Sequence, residues 1–153
     1  VDSGDVAPGF SSENNDGNIL SLNQFKGKTV LLDFGAGWCV PCKKEIPEVK
    51  RIFDKYHSKG LEIIGVSLDE DKTSWKENIK NENLNWHHIY VGTDKFREPE
   101  SINVVYGVQA IPAYFLINEN GIMIDRYRGA DKNDKSLKDL EAKLETLLSS
   151  NSL

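Results

Sequence analysis

Apolar positions recur along this chain with two different periods, and the change from one to the other marks its most informative stretch. The run Thr29-Val30-Leu31-Leu32-Asp33-Phe34 is short, rich in β-branched and large residues, and bounded by Gly27 and Gly35, so it predicts a buried strand. From Cys42 onward, Cys42, Ile46, Val49, Phe53 and Tyr56 recur at steps of three and four, which is one face of a helix. Pro47 falls inside that helix and predicts a kink within a single element, because the stripe runs through it. Residues 61–68 predict a second buried strand, 72–80 a helix, 87–91 a short strand and 94–107 a weak helix. Residues 113–117 and 122–127 read as strands of a hairpin turning at 118–121. Leu137, Leu140, Leu144, Leu147 and Leu148 form a closing amphipathic helix.

Ahead of these elements, residues 1–9 read as a loose arm, and Asp16-Gly17 suits a tight reversal between 10–12 and 18–21. Leu22 to Phe25 fit one helical turn. The whole order predicts an α/β fold: a central mixed β-sheet flanked by helices on both faces, with an N-terminal β-hairpin. With no repeat, low-complexity tract or linker, residues 1–153 read as one domain. Right-handed crossovers would place the start of the first long helix at the carboxyl end of its strand, where α/β sites lie.

Composition narrows the function only by exclusion. A formal net charge of −5 argues against nucleic acid or an anionic membrane as the main partner. No apolar run approaches the roughly 20 residues of a membrane span. Val1 in place of a starting methionine predicts a mature or trimmed form that has lost a targeting segment.

Both cysteines of the chain, Cys39 and Cys42, sit at the strand-to-helix junction in C-x-x-C spacing. Such pairs also form half of zinc sites, but zinc takes about four ligands, and His57, His87 and His88 lack a ligand-like spacing. A metal is therefore not expected. The helical register puts Cys42 on the apolar stripe, shielded, and Cys39 before the first turn, open to another molecule. Unpaired N–H groups and the dipole at a helix N-terminus stabilise a thiolate, the form that attacks disulfides. Cys39 is thus expected to attack, and Cys42 to close the ring and release the partner. Pro41 supplies a fixed φ and removes one unpaired donor in the first turn.

Asp33 interrupts an apolar strand six residues before Cys39. Burial should raise its pKa and fit it to accept the Cys42 proton; a solvated edge position is the alternative. Trp38 fits an apolar docking surface over Cys39. Glu45, one helical turn beyond Cys42, is either a partner of that thiol or an ordinary exposed helix residue.

Trp38-Cys39-Val40-Pro41-Cys42 after an apolar strand resembles the active site of the thioredoxin superfamily. Ala7-Pro8-Gly9-Phe10, residues 22–28, Cys39 to Pro47, and residues 111–117 with Gly121 extend the likeness in the right order. Together they resemble the TlpA/ResA-like branch, often grouped with AhpC/TSA-type domains. The resemblance implies a thioredoxin fold with an α-β insertion before a cis-proline loop. It also implies a cofactor-free, monomeric thiol-disulfide oxidoreductase outside the cytoplasm, acting on protein thiols and disulfides and served by an upstream redox partner. Cysteine usage by itself leaves the compartment open. On this resemblance Ile111-Pro112 is the cis bond, with backbone able to pair with a substrate chain, and Glu45 tunes the thiols. Thioredoxins resemble the chain at Asp33. Ala113 departs from the threonine common in relatives, and Gly35 and Gly37 from bulkier residues, which should open space beside the cysteines. A peroxiredoxin-like peroxidase and a copper-binding module using the two thiolates with His87 or His88 are the competing readings.

Overall fold

The structure, a computed structural model, describes residues 1–149. Its frame is a five-stranded sheet: β3 (Thr29–Gly35), β4 (Leu61–Ser67), β5 (His87–Tyr90), β6 (Ala113–Ile117) and β7 (Met123–Arg128), in the spatial order β5-β4-β3-β6-β7. β3, β4 and β5 run parallel, while β6 and β7 join antiparallel, so the sheet is mixed. β3 is the central strand. Covered on both faces, β3 and β4 are near-continuous apolar runs rather than alternating ones.

One face of the sheet carries Leu31, Ile63, Tyr114 and Leu116, packed under α1 (Val40–Tyr56) and α4 (Lys135–Ser149). Leu137, Leu140, Leu144 and Leu148 supply the buried stripe of α4. The opposite face carries Val30, Leu32, Phe34 and Phe115, covered by Ala7, Leu20, Leu22 and Tyr106. An N-terminal hairpin of β1 (Ser11–Glu13) and β2 (Ile19–Ser21) forms its own two-stranded sheet, as its Asp-Gly turn predicts. It is followed by a 3-10 turn at Leu22–Phe25. The hydroxyl of Tyr106 donates to Pro8 O at 2.6 Å and ties the arm to this face.

Between β4 and β6 the chain adds α2 (Lys72–Asn81), β5 and the single turn α3 (Ile102–Val105). α2 starts where Asp71 accepts a hydrogen bond from Ser74 N at 2.7 Å. The expected helix over 94–107 contracts to four residues, because Ile102-Asn103-Val104-Val105 is mostly β-branched and ends at Gly107 in a positive-φ turn. α1 is one helix through Pro47, the single element expected.

The register of α1 differs from the sequence expectation. Of the expected stripe Val49 and Tyr56 are buried, whereas Cys42, Ile46 and Phe53 are only partly so, and Glu45 and Ile52 complete the buried face. Glu45 is 4% exposed, so the exposed-glutamate alternative is overturned. A charged residue on the buried face hides the true stripe from any count of apolar positions.

Candidate active site

The site forms where β3 ends and α1 begins. Cys39 is the N-cap of α1, and its sulfur accepts a hydrogen bond from Cys42 N at 3.2 Å. This is the helix-terminus environment that favours a sulfur anion. Pro41 lies in the first turn, where its missing N–H leaves nothing unpaired. Cys39 and Cys42 are joined as a disulfide in this structure.

Accessibility of the two cysteines reverses the expectation. Cys39 is 4% exposed and packs with Ala36, Leu68 and Ile111, whereas Cys42 is partly exposed. The physical reason is the cover: Ile111 lies over Cys39, with Cys39 Sγ 3.9 Å from Ile111 O. Cys42 instead borders a cavity beneath α1 that Asp33 also lines.

Ile111-Pro112 is a cis peptide, and the loop sits beside the cysteine pair. Pro112 O accepts from Gly129 N at 3.0 Å, which seats the loop on the turn after β7. A Cβ at Gly129 would overlap both Glu45 Oε1 and Pro112 Cγ, so only glycine lets that backbone pass between them. The only sign of this role in the sequence is a glycine directly after the last strand, which no motif singles out.

Asp33 lies on the central strand, opposite Gly65 on β4 and Tyr114 on β6, so the solvated-edge alternative is overturned. Cys42 Sγ and Asp33 Oδ1 flank one point above Gly35, at 3.6 and 4.0 Å from where its Cβ would stand. Burial, then the charge of Glu45, raises the Asp33 carboxyl to a pKa of about 7. Glu45 accepts from the Tyr114 hydroxyl at 2.6 Å and from Ala130 N at 2.7 Å. Burial and the two carboxylates push the Tyr114 phenol well above its ordinary value, so it stays a donor.

Trp38 is 55% exposed, and its indole N–H donates to Leu68 O at 3.2 Å. It borders an apolar groove with Leu68, Phe96, Val104, Val108 and Ile111 on the cis-proline side. A Cβ at Gly35 would stand in ordinary van der Waals contact with Cys42 and Asp33, so a small side chain would fit there without a clash. Gly37 does not: a Cβ there would press on Asn78 and Asp69 at 3.1 Å. The backbone N–H of Gly37 donates to Asp69 Oδ1 at 2.6 Å, and Ser67 Oγ donates to Asp69 Oδ2 at 2.5 Å. Asp69, buried just after β4, thus anchors the loop ahead of Cys39. Nothing in the sequence distinguishes it from other loop aspartates. His87 bonds Glu62 at 3.0 Å while His88 is buried, the opposite-face placement expected of strand neighbours.

The sequence and the fold of this chain are matched by known proteins. The Redoxin family model covers residues 2–144. The chain belongs to the redoxin family. Within it, this redoxin is 36% identical over 132 residues to the thiol-disulfide oxidoreductase ResA of Bacillus thuringiensis subsp. konkukian, covering 86% of this chain and 73% of that protein. It superposes on the thioredoxin domain of a thiol-disulfide oxidoreductase from Bacteroides vulgatus with a TM-score of 0.78 at 28% identity, covering 94% and 99% of the two chains. A thiol:disulfide interchange protein from Bacteroides sp. gives a TM-score of 0.79 at 29% identity, covering 96% and 90%. The redoxin therefore has the thioredoxin fold and lies on the TlpA/ResA-like branch. Among the described residues no helix is long and apolar enough to cross a membrane.

Proposed function

We propose that this redoxin is a protein-disulfide oxidoreductase that reduces disulfides in partner proteins through Cys39 and Cys42. The observation that carries the reading is the placement of Cys39: its sulfur caps α1 and lies against the carbonyl that precedes a cis-proline. A partner strand pairing with the backbone at Ile111 would bring its own disulfide to that sulfur. Attack by the Cys39 thiolate forms a Cys39–partner disulfide and expels the partner's second sulfur as a thiolate. Cys42 then loses its proton to the Asp33 carboxylate, attacks Cys39 Sγ and expels the partner's remaining thiolate. The dithiol is oxidised, and the partner disulfide is reduced by the same two electrons.

In this reading Glu45 sets the charge beside Asp33, Trp38 and Pro41 shape the approach to Cys39, and Ile111 and Pro112 hold the partner backbone. A docking partner displaces or replaces the cover that Ile111 gives Cys39. The family match over residues 2–144 supports one thioredoxin-like domain. The likeness to a thiol-disulfide oxidoreductase supports exchange of thiols and disulfides, and the proposal places that exchange outside the cytoplasm, on protein thiols, with an upstream protein restoring the dithiol.

Mixing the reduced protein with a disulfide-bonded protein substrate tests the reading. Loss of substrate disulfide, abolished in Cys39→Ser, is the expected result, and consumption of peroxide in its place would point to a peroxidase. Equilibrating the Cys39–Cys42 couple with a glutathione series tests the direction. A couple more reducing than glutathione supports a reductase, and a more oxidising one contradicts it.

A further inference from the structure

Beneath the cysteines, α1 and α2 border a half-open cavity of ≈ 60 Å³ against the sheet. Its floor is a row of residues in register on three strands: Asp33 on β3, Gly65 on β4 and His88 on β5. Gly65 carries no side chain, and the His88 ring lies over it; a Cβ there would meet His88 Nδ1 at 2.7 Å. His88 Nε2 is 3.0 Å from Leu84 O, and a carbonyl only accepts, so Nε2 carries the proton. Burial pushes the His88 pKa down to about 4, so at neutral pH the ring is uncharged and Nδ1 is a bare acceptor. From α2, Trp75 lines the same cavity, 3% exposed, and its indole N–H has no hydrogen-bond partner among the described residues. A buried N–H left unpaired is costly, so one kept beside a cavity that Asp33 and His88 also line calls for a partner there.

We propose that the cavity binds a water molecule that accepts from Trp75 Nε1 and donates to His88 Nδ1 and the Asp33 carboxylate, making Trp75 and His88 positioning residues for the proton step at Cys42. The proposal rests on the reading of Asp33 as proton acceptor. The volume suffices, since one water needs about 10–15 Å³ on this measure, and buried waters typically make about three hydrogen bonds. The same water serves both protonation states. When Asp33 is a carboxylate, the water donates to it. When Asp33 has taken the proton, the water accepts from its O–H with its second lone pair and keeps its bonds to Trp75 and His88. Donation to the carboxylate opposes the burial that raises Asp33, and so keeps its proton exchangeable near neutral pH. The other titratable groups facing Asp33 are Glu45 and Cys42 on α1, Tyr114 on β6 and Asp69 after β4. None of them supplies the donor to Asp33 that this water would.

Trp75→Phe keeps an aromatic ring at this position and removes the N–H together with part of the indole. In the oxidised protein, the side-chain carboxyl ¹³C signal of Asp33 should titrate roughly half a pH unit higher in Trp75→Phe than in wild type. An unchanged midpoint overturns the proposal. A second measurement needs no variant: the Trp75 indole proton of the wild-type protein should show magnetisation transfer from a long-lived bound water. Its absence means a dry cavity and likewise overturns the proposal. Both readouts use the disulfide form, in which no exchange occurs. They can therefore fail while Asp33→Asn still slows exchange, or hold while it does not, which separates this inference from the proposed role of Asp33.

Discussion

The Glu45 carboxyl accepts the Tyr114 hydroxyl at 2.6 Å, and Tyr114 stands directly opposite Asp33 in the β3–β6 pair. A helix carboxylate is thereby fixed beside a strand carboxyl, and its charge helps to raise the latter. Glu45→Gln removes that charge while keeping an acceptor for Tyr114. The Asp33 titration midpoint should fall below about 7, read from the same carboxyl ¹³C signal. A midpoint that stays or rises would show that burial alone sets it.

Asp33 should also make stability depend on pH. Its folded pKa of about 7 lies above the ordinary value of about 3.9, so between these limits the folded state holds a proton that the unfolded state releases. Stability from this group is therefore present below pH 4 and lost as pH rises through 7. Asp33→Asn should be more stable than wild type at pH 8, by at most about 4 kcal/mol, with the gain fading towards pH 4. Urea unfolding of the oxidised proteins at the two pH values checks it. The same variant should slow release of a trapped mixed disulfide and change its pH profile, leaving the first attack by Cys39 less affected.

Much of this arrangement is visible in the sequence because it depends on local pattern. The apolar run ending at Gly35, the cysteine pair two residues apart and the proline before the run at Ala113 place strand, helix start and loop without tertiary information. The face of α1 is different. Glu45 is buried only because Tyr114 and Ala130 N come to it from 69 and 85 residues away. Counting apolar positions then assigns Cys42 to the buried side. The cover on Cys39 is hidden for the same reason, since Ile111 reaches it from 72 residues along the chain. Asp69, Trp75 and Gly129 act through contacts between elements, which no spacing rule encodes.

Gly129 separates the Pro112 loop from Glu45. Gly129→Ala should cost roughly 1–3 kcal/mol through overpacking, since the Pro112 ring on one side and a bonded carboxylate on the other leave little room to yield. Disulfide exchange should slow as well, because relief moves either the loop or Glu45. Chemical unfolding and exchange rates read the two effects, and wild-type values for both would show that the turn adjusts freely.

Trp38 presents an exposed ring next to the apolar groove that ends at Ile111. Trp38→Ala should raise KM for a protein disulfide while changing the rate with a small-molecule disulfide little, because only the larger substrate reaches the groove. Equal losses with both would place Trp38 in the chemistry at Cys39 rather than in docking.

The division of labour between the two sulfurs is tested most directly by trapping. Each reduced single-cysteine variant is mixed with a disulfide-bonded protein substrate, and adducts are mapped by mass spectrometry. Cys42→Ser should accumulate a mixed disulfide at Cys39, and Cys39→Ser should accumulate none. A stable adduct at Cys42 in Cys39→Ser, with none in Cys42→Ser, would mean that the partly exposed sulfur attacks and the helix-capping sulfur resolves.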